Sequence, residues 1–225
     1  MAEGGVTQRT ATILAADAAG YTRLMADDEA ATIETLDAAR AVFIKHIEAN
    51  QGRAVDTAGD SVLAVFETIA GAVHAAAAIQ GRLAEINEPV PDDRRMRFRI
   101  GIHLGDIHEK ADGTVYGDGV NIAARLQSIA DPGATIVSDG VQGALGGRLD
   151  VGFADAGSHK VKNVAEPIHA YRLLTEGEVA PKTRFTLRSR GALVAVAIAV
   201  VAVVGIAIWQ FTAIPDASKI AEVME

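Results

Sequence analysis

AVDTAGDSVLAVF, residues 54–66, sets two carboxylates, Asp56 and Asp60, four residues apart in a mostly apolar stretch. Residues 53–57 and 61–66 have strand composition, and Ala58-Gly59 between them supplies a turn, so the segment reads as a β-hairpin. With a two-residue turn, Thr57 and Asp60 pair and share one face, while Asp56 takes the other. The two acids then have different surroundings and different work. Taken alone, either acid is equally well read as a solvated turn residue, since turns favour Asp and Gly.

Outward from the hairpin, strands and helices interleave. TATILAADAAG (10–20) reads as a strand entering a glycine-containing turn. Residues 27–50 begin with acids and then place Ile33, Leu36, Ala39, Phe43 and Ile47 at helical spacing; Gly52 stops that helix. Thr68 to Asn87 reads as an alanine-rich helix closed by Pro89 and Pro91. Residues 95–109 alternate, as one long strand or a strand pair. Residues 118–130 read as a helix, ATIVS as a strand with a short helix after it, and GFADAG, HKVKN and IHAYRLL as closing strands. This order predicts an α+β domain, with helices layered on one mixed sheet, over residues 9–174. Residues 1–8 read as a mobile leader and 175–190 as a polar, basic linker.

The chain has 225 residues and a net charge of −8, so no broad basic surface is implied and nucleic acid is not expected as a partner. It has no cysteine, which excludes disulfides and thiolate metal sites. Gly191 to Phe211 carries no charge over 21 residues. At about 1.5 Å per residue that run spans about 30 Å, the thickness of bilayer hydrocarbon. A core helix of this length would carry a polar face, so the reading is a single transmembrane helix. Lys182, Arg184, Arg188 and Arg190 precede it, and Asp216, Lys219, Glu222 and Glu225 follow. Positive charge stays inside, so residues before the span are expected to be cytoplasmic at the inner or plasma membrane. Residues 212–225 form a short external tail.

Several chemical templates are missing: the Walker A lysine loop, GxGxxG after a strand, HExxH and GxSxG. His103 and His108 have no third partner at metal spacing. What remains is carboxylates at strand ends. Asp17 follows the apolar ILAA and precedes AAGYT, where an acid is unusual. If the first strand neighbours the hairpin, Asp17 and Asp60 meet. Such a pair binds Mg²⁺ loosely and leaves sites for phosphate oxygens. The amides of the Ala18 to Thr22 turn would face those phosphates at a helix N-terminus. From the residues alone, solvated turn aspartates remain as good an account.

DAAGYTRL, GDSVLAVF and YGDGVNIAARL, in this order, resemble the class III adenylate/guanylate cyclase catalytic domain. HKVKNVAEPIHAYRL is similar to the end of bacterial members. The resemblance covers roughly residues 8–174 and implies a ferredoxin-like α+β fold working as a head-to-tail homodimer with shared active sites. One chain supplies the metal positions, matching Asp17, Ala18 and Asp60, for two Mg²⁺ or Mn²⁺ ions per site. The other supplies a transition-state asparagine and arginine, matching Asn121 and Arg125. These are four apart on one helix and so share a face. Gly20, Tyr21, Thr22 and Lys162 fall among the substrate-binding positions, with Lys162 toward the terminal phosphates.

The resemblance also gives Asp56 a task, since the matching position reads the purine base. Adenylate cyclases usually carry lysine there and guanylate cyclases glutamate, so this chain departs from the pattern. The second base position matches Thr114, where many adenylate cyclases have aspartate and one bacterial subgroup has threonine. A carboxylate suits the N1–H and N2–H₂ donors of guanine. It accepts from the adenine N6 amine but donates nothing to adenine N1. ATP is kept as the substrate on the subgroup's threonine, with GTP as the alternative. A second alternative is a catalytically silent cyclase-like dimer module. A palm-type polymerase or diguanylate cyclase fits less well, because GG(D/E)EF is absent.

Overall fold

The computed structural model describes residues 6–145, 151–160 and 167–174. All of them belong to one compact unit, residues 1–181. Lys162 and the expected linker, span and tail lie outside the described residues.

The elements in chain order are β1 (Val6–Ala18), α1 (Tyr21–Asp27), α2 (Glu29–Ala49), β2 (Gly52–Asp56), β3 (Ser61–Phe66), α3 (Ile69–Asn87), β4 (Phe98–Lys110), β5 (Val115–Tyr116), α4 (Asp118–Ile129), β6 (Thr135–Ser138), α5 (Asp139–Leu145), β7 (Gly152–His159) and β8 (Ile168–Leu174). One sheet runs β2-β3-β1-β4-β6-β8-β7, with β5 paired to β4. Only β4 and β6 are parallel; the other pairs are antiparallel. This is the mixed, helix-covered sheet that the sequence implied.

Two expectations change. The helix placed at 27–50 is preceded by a separate short one. Asp28 breaks them apart at φ −158° and caps α2 by accepting from the Ala31 amide at 3.1 Å. β1 begins at Val6, opposite Lys110, inside the stretch read as a leader. Of the two readings of residues 95–109, the single long strand is the one formed, over Phe98–Lys110. The α3 reading holds: Thr68 accepts from the Gly71 amide at 3.1 Å and starts the helix one residue later.

The two faces of the sheet are covered unequally. Leu14, Ala16 and Ala18 of β1, Val62, Ala64 and Phe66 of β3, and Phe98, Ile100 and Ile102 of β4 face α2 and α3. There Phe43 meets Phe98 with ring centroids 5.0 Å apart. Ala72, Ala75 and Ala76 let α3 approach closely because they add almost no side-chain bulk. Gln80, buried on α3, donates to the carbonyls of Phe98 at 3.0 Å and Ala134 at 3.2 Å, satisfying backbone where the parallel pair begins. The opposite face carries Ala11, Ile13, Ala15, Val65 and Ile107 and is covered by α4 through Ala123. Odd-numbered β1 residues therefore point toward α4, and Asp17 continues that row.

Candidate active site

Asp17 ends the row. It pairs with Ser61 of β3 on one side and Arg99 of β4 on the other. Asp60 sits in the turn just before Ser61, where its carbonyl accepts from the Ala18 amide at 3.1 Å. Arg40 of α2 donates to the Gly59 carbonyl and to Asp37, holding that turn against the helix layer. The two carboxyl groups thus meet, as the sequence anticipated. Burial, then the charge of Asp60, pushes the Asp17 carboxyl above its ordinary pKa; Arg99 opposes this, and a hydrogen bond to Asp60 adds to it. Two acids pressed together in this way are a pair that a divalent cation would relieve.

The turn after β1 is tighter than expected for an amide cradle. Gly20 adopts φ +72°, a left-handed conformation that favours glycine. Ala18 and Ala19 spend their amides on the carbonyls of Asp60 and Arg97. The first intrahelical bonds run from Arg23 and Leu24 to Gly20 O. The amides of Gly20, Tyr21 and Thr22 precede those bonds and so are the free first-turn donors. The cradle assigned to residues 18–22 shrinks to residues 20–22.

Asn121 and Arg125 lie on α4 and are exposed. Gly119, Ala123 and Leu126 are the buried face of that helix, so the pair projects away from the sheet. Neither side chain makes a hydrogen bond or ion pair among the described residues, and nothing joins them to Asp17 or Asp60 within the chain.

The hairpin geometry corrects the reading of Asp56. The connection is longer than two residues: Asp56 pairs with Leu63, and a bulge lies between Ala54 and Asp56. Thr57 and Asp60 do not pair. Because directly opposed residues share a face, Asp56 lies on the side of Leu63, which packs with the α4-side cluster. That is the face of Asp17, which pairs with Ser61 two residues before Leu63. The turn length and the partner of Asp56 change, while its face is the one a Thr57–Asp60 pair would also have given, because the extra residue of the bulge restores it. One Asp56 oxygen accepts from the Ala58 amide at 2.9 Å, and the residue is exposed. Thr114 is exposed at the β4–β5 turn, its amide bound to Asp112 at 2.9 Å.

Three residues enter the site that the sequence did not reveal. Arg99 stands beside Asp17 with a buried Nε that has no hydrogen-bond partner among the described residues. Arg53 of β2 donates to Glu109 at 2.6 Å and to the Gly113 carbonyl at 3.2 Å, tying the Thr114 turn to the strand that bears Asp56. Gly101 lies directly beneath α4, with the backbone of Ala123 and Gln127 against it. The alternating pattern of residues 95–109 showed a strand, but only the β1 pairing shows that Arg99 faces an acid.

The family model for the adenylate and guanylate cyclase catalytic domain matches residues 6–175. The chain belongs to this family. A Rhizobium meliloti (strain 1021) protein named "Putative adenylate cyclase 3" is 43% identical over 172 residues, 76% of this chain and 29% of that protein. The chain therefore spans about three-tenths of that relative. An adenylate cyclase of Streptomyces coelicolor is 30% identical over 77% of this chain and 42% of its own length. Among solved structures, an adenylate/guanylate cyclase/hydrolase from Silicibacter pomeroyi superposes with a TM-score of 0.71 at 38% identity, covering 76% of this chain and all of that one.

For a cyclase domain the donor set suits a hard divalent cation. Asp17 and Asp60 offer carboxylate oxygens, and no cluster of three or more His, Cys, Asp or Glu forms among the described residues. Two carboxylates leave coordination positions for water, backbone and phosphate oxygens, which Mg²⁺ and Mn²⁺ accept.

Proposed function

We propose that this cyclase domain converts ATP to 3′,5′-cyclic AMP and pyrophosphate, using a site shared by two copies of the chain. The observation that carries it is the Asp17–Asp60 carboxyl pair, held together despite mutual repulsion. The adenylate cyclase names of the relatives support ATP. In the reaction the ribose O3′ forms a bond to the α-phosphorus, the bond to the pyrophosphate oxygen breaks, and the 3′ proton is lost.

Asp17 and Asp60 would hold Mg²⁺ or Mn²⁺, which when bound lowers the pKa of the 3′-hydroxyl and offsets phosphate charge. Arg125 of the second chain meets the negative charge on the α-phosphoryl oxygens, and Asn121 orients the ribose. Both are exposed and make no side-chain hydrogen bond or ion pair among the described residues, which leaves them open to groups on a second chain. The amides of residues 20–22 receive phosphate oxygens. Lys162 meets the terminal phosphates. Arg99 supplies positive charge beside the acids. Asp56 and Thr114 contact the base.

Asp56 favours a second reading, guanylate cyclase activity, because its free oxygen accepts from guanine N1–H. Residues 191–211 attach the domain to the inner or plasma membrane as a single span, with the cyclase domain cytoplasmic; their uncharged composition supports this.

The deciding experiment incubates purified protein with ATP or GTP and Mg²⁺ or Mn²⁺ and identifies the product. Cyclic AMP from ATP is expected. No cyclic product with either nucleotide, from folded dimer, leaves only the silent module. Fractionation tests the anchor: the full chain should sediment with membranes and a chain ending at residue 181 should not.

A further inference from the structure

We propose that Gly101 is a positioning residue for catalysis, setting the height of α4 above the sheet and so the reach of Arg125 into the site of the partner chain. This rests on the shared-site reading above.

Gly101 is the fourth residue of β4 and is buried. A Cβ placed there would lie 2.2 Å from the Ala123 carbonyl oxygen and 2.3 Å from the Gln127 nitrogen. These two atoms are the acceptor and donor of one i to i+4 helix bond. The helix therefore rests its own backbone on the strand, with no side chain between them. A methyl group has nothing flexible to push aside, so α4 must lift by roughly 1 Å.

The consequence falls on the catalytic pair. At 100° per residue, Ala123 and Gln127 lie 40° apart on the helix, and Arg125 lies on the side opposite their midpoint. Any lift of α4 is transmitted to Arg125 undiminished. A second glycine contact fixes the other end: a Cβ on Gly119 would meet Asp106 O at 2.9 Å and Ile13 Cδ1 at 3.0 Å. Gly119 is two residues from Asn121. The strain there is milder, because the nearest backbone atom, Asp106 O, lies at 2.9 Å rather than the 2.2 Å met at Gly101.

A rival route exists. Gly101 is two residues from Arg99, which gives a methyl there a second route, through the Asp17 side. Mixed dimers separate the two. Asp17→Ala chains lose the acid half and Arg125→Ala chains lose the α4 half. Mixing these two variants is the control, and it should restore about a quarter of wild-type turnover, since half the dimers are mixed and each has one intact site.

Gly101→Ala alone is expected to lower kcat by about 100-fold with KM changed less than about threefold, as for a misplacement of about 1 Å. Mixed with Asp17→Ala it should recover like the control; mixed with Arg125→Ala it should not. Recovery with Arg125→Ala instead, or unchanged kcat, overturns the proposal. If Gly101→Ala does not fold, Gly119→Ala replaces it and must show the same partner preference with a smaller loss; recovery with neither partner overturns the proposal. Failure of the control mixture, with subunit exchange shown by differently tagged chains, overturns the shared site itself.

Discussion

Asp17 and Asp60 are held carboxyl to carboxyl, Asp17 at the end of β1 and Asp60 in the turn into β3, where the Ala18 amide binds the Asp60 carbonyl at 3.1 Å. The turn cannot release Asp60 without breaking that bond and the Arg40 contact to Gly59. Repulsion is thus built into the site, and a bound divalent cation would relieve it.

Removing one charge should therefore stabilise the metal-free protein while abolishing its activity. The Asp17 pKa is raised on folding, so its proton-bound form favours the fold and its ionised form costs stability as pH rises through the folded pKa. Asp17→Asn at neutral pH should raise Tm in chelator. Added Mn²⁺ should raise the wild-type Tm and leave that of the variant unchanged, with turnover down at least about 100-fold. Equal Mn²⁺ shifts in both proteins would sink the metal assignment.

Competition between protons and metal at the same carboxylates should shape the pH profile. Because the Asp17 pKa is shifted upward, apparent metal affinity should start to fall at a higher pH than for an ordinary aspartate. The midpoint of the Mn²⁺ titration, followed from pH 8 down to pH 5, measures this. A fall that begins no higher in pH than for an ordinary aspartate contradicts the shift.

Base choice should respond to Asp56. A hydrogen-bonded site rejects the wrong base by leaving polar groups unpaired, at about 1–3 kcal/mol each. Asp56→Lys supplies a donor toward adenine N1 and removes the acceptor for guanine N1–H. The kcat/KM ratio for ATP over GTP should rise roughly tenfold or more. The Ala58 amide already occupies one Asp56 oxygen, which gives the opposing view its basis. If that turn is the whole role of Asp56, both substrates change equally.

His103 should make the fold sensitive to mild acid. Its Nδ1 lies 3.0 Å from Ser138 Oγ, and burial pushes its pKa down to about 4, with Asp139 opposing. An unfolded histidine titrates near 6.5, so the neutral ring contributes full stability above that pH. The contribution is lost as pH falls from about 6.5 to about 4, at most about 3 kcal/mol. Urea unfolding of wild type and His103→Gln across that window should give a steeper pH slope for wild type. Parallel slopes would show that His103 is not the titrating group.

The sequence by itself determined the kinds of element and the two motifs that carry chemistry. Apolar spacing in residues 27–50 and 68–87 gave helices because one buried face recurs every 3.6 residues, and Thr68 caps its helix through a purely local bond. Asp17 was legible because an acid is out of place at the end of an apolar strand. Asn121 and Arg125 were legible as a face because four residues make nearly one helical turn. The pairings belonged to the tertiary structure. A single bulged residue between Ala54 and Asp56 set Asp56 opposite Leu63 rather than Ser61, and no local pattern encodes a bulge. Arg99 gained its meaning only when β4 was laid antiparallel to β1. Nothing in the sequence singles out Gly101; the close approach of α4 shows that its missing side chain is the contact. Local periodicity acts over a turn or a hairpin, whereas these contacts join residues whose separation is fixed only by the packing of the whole sheet.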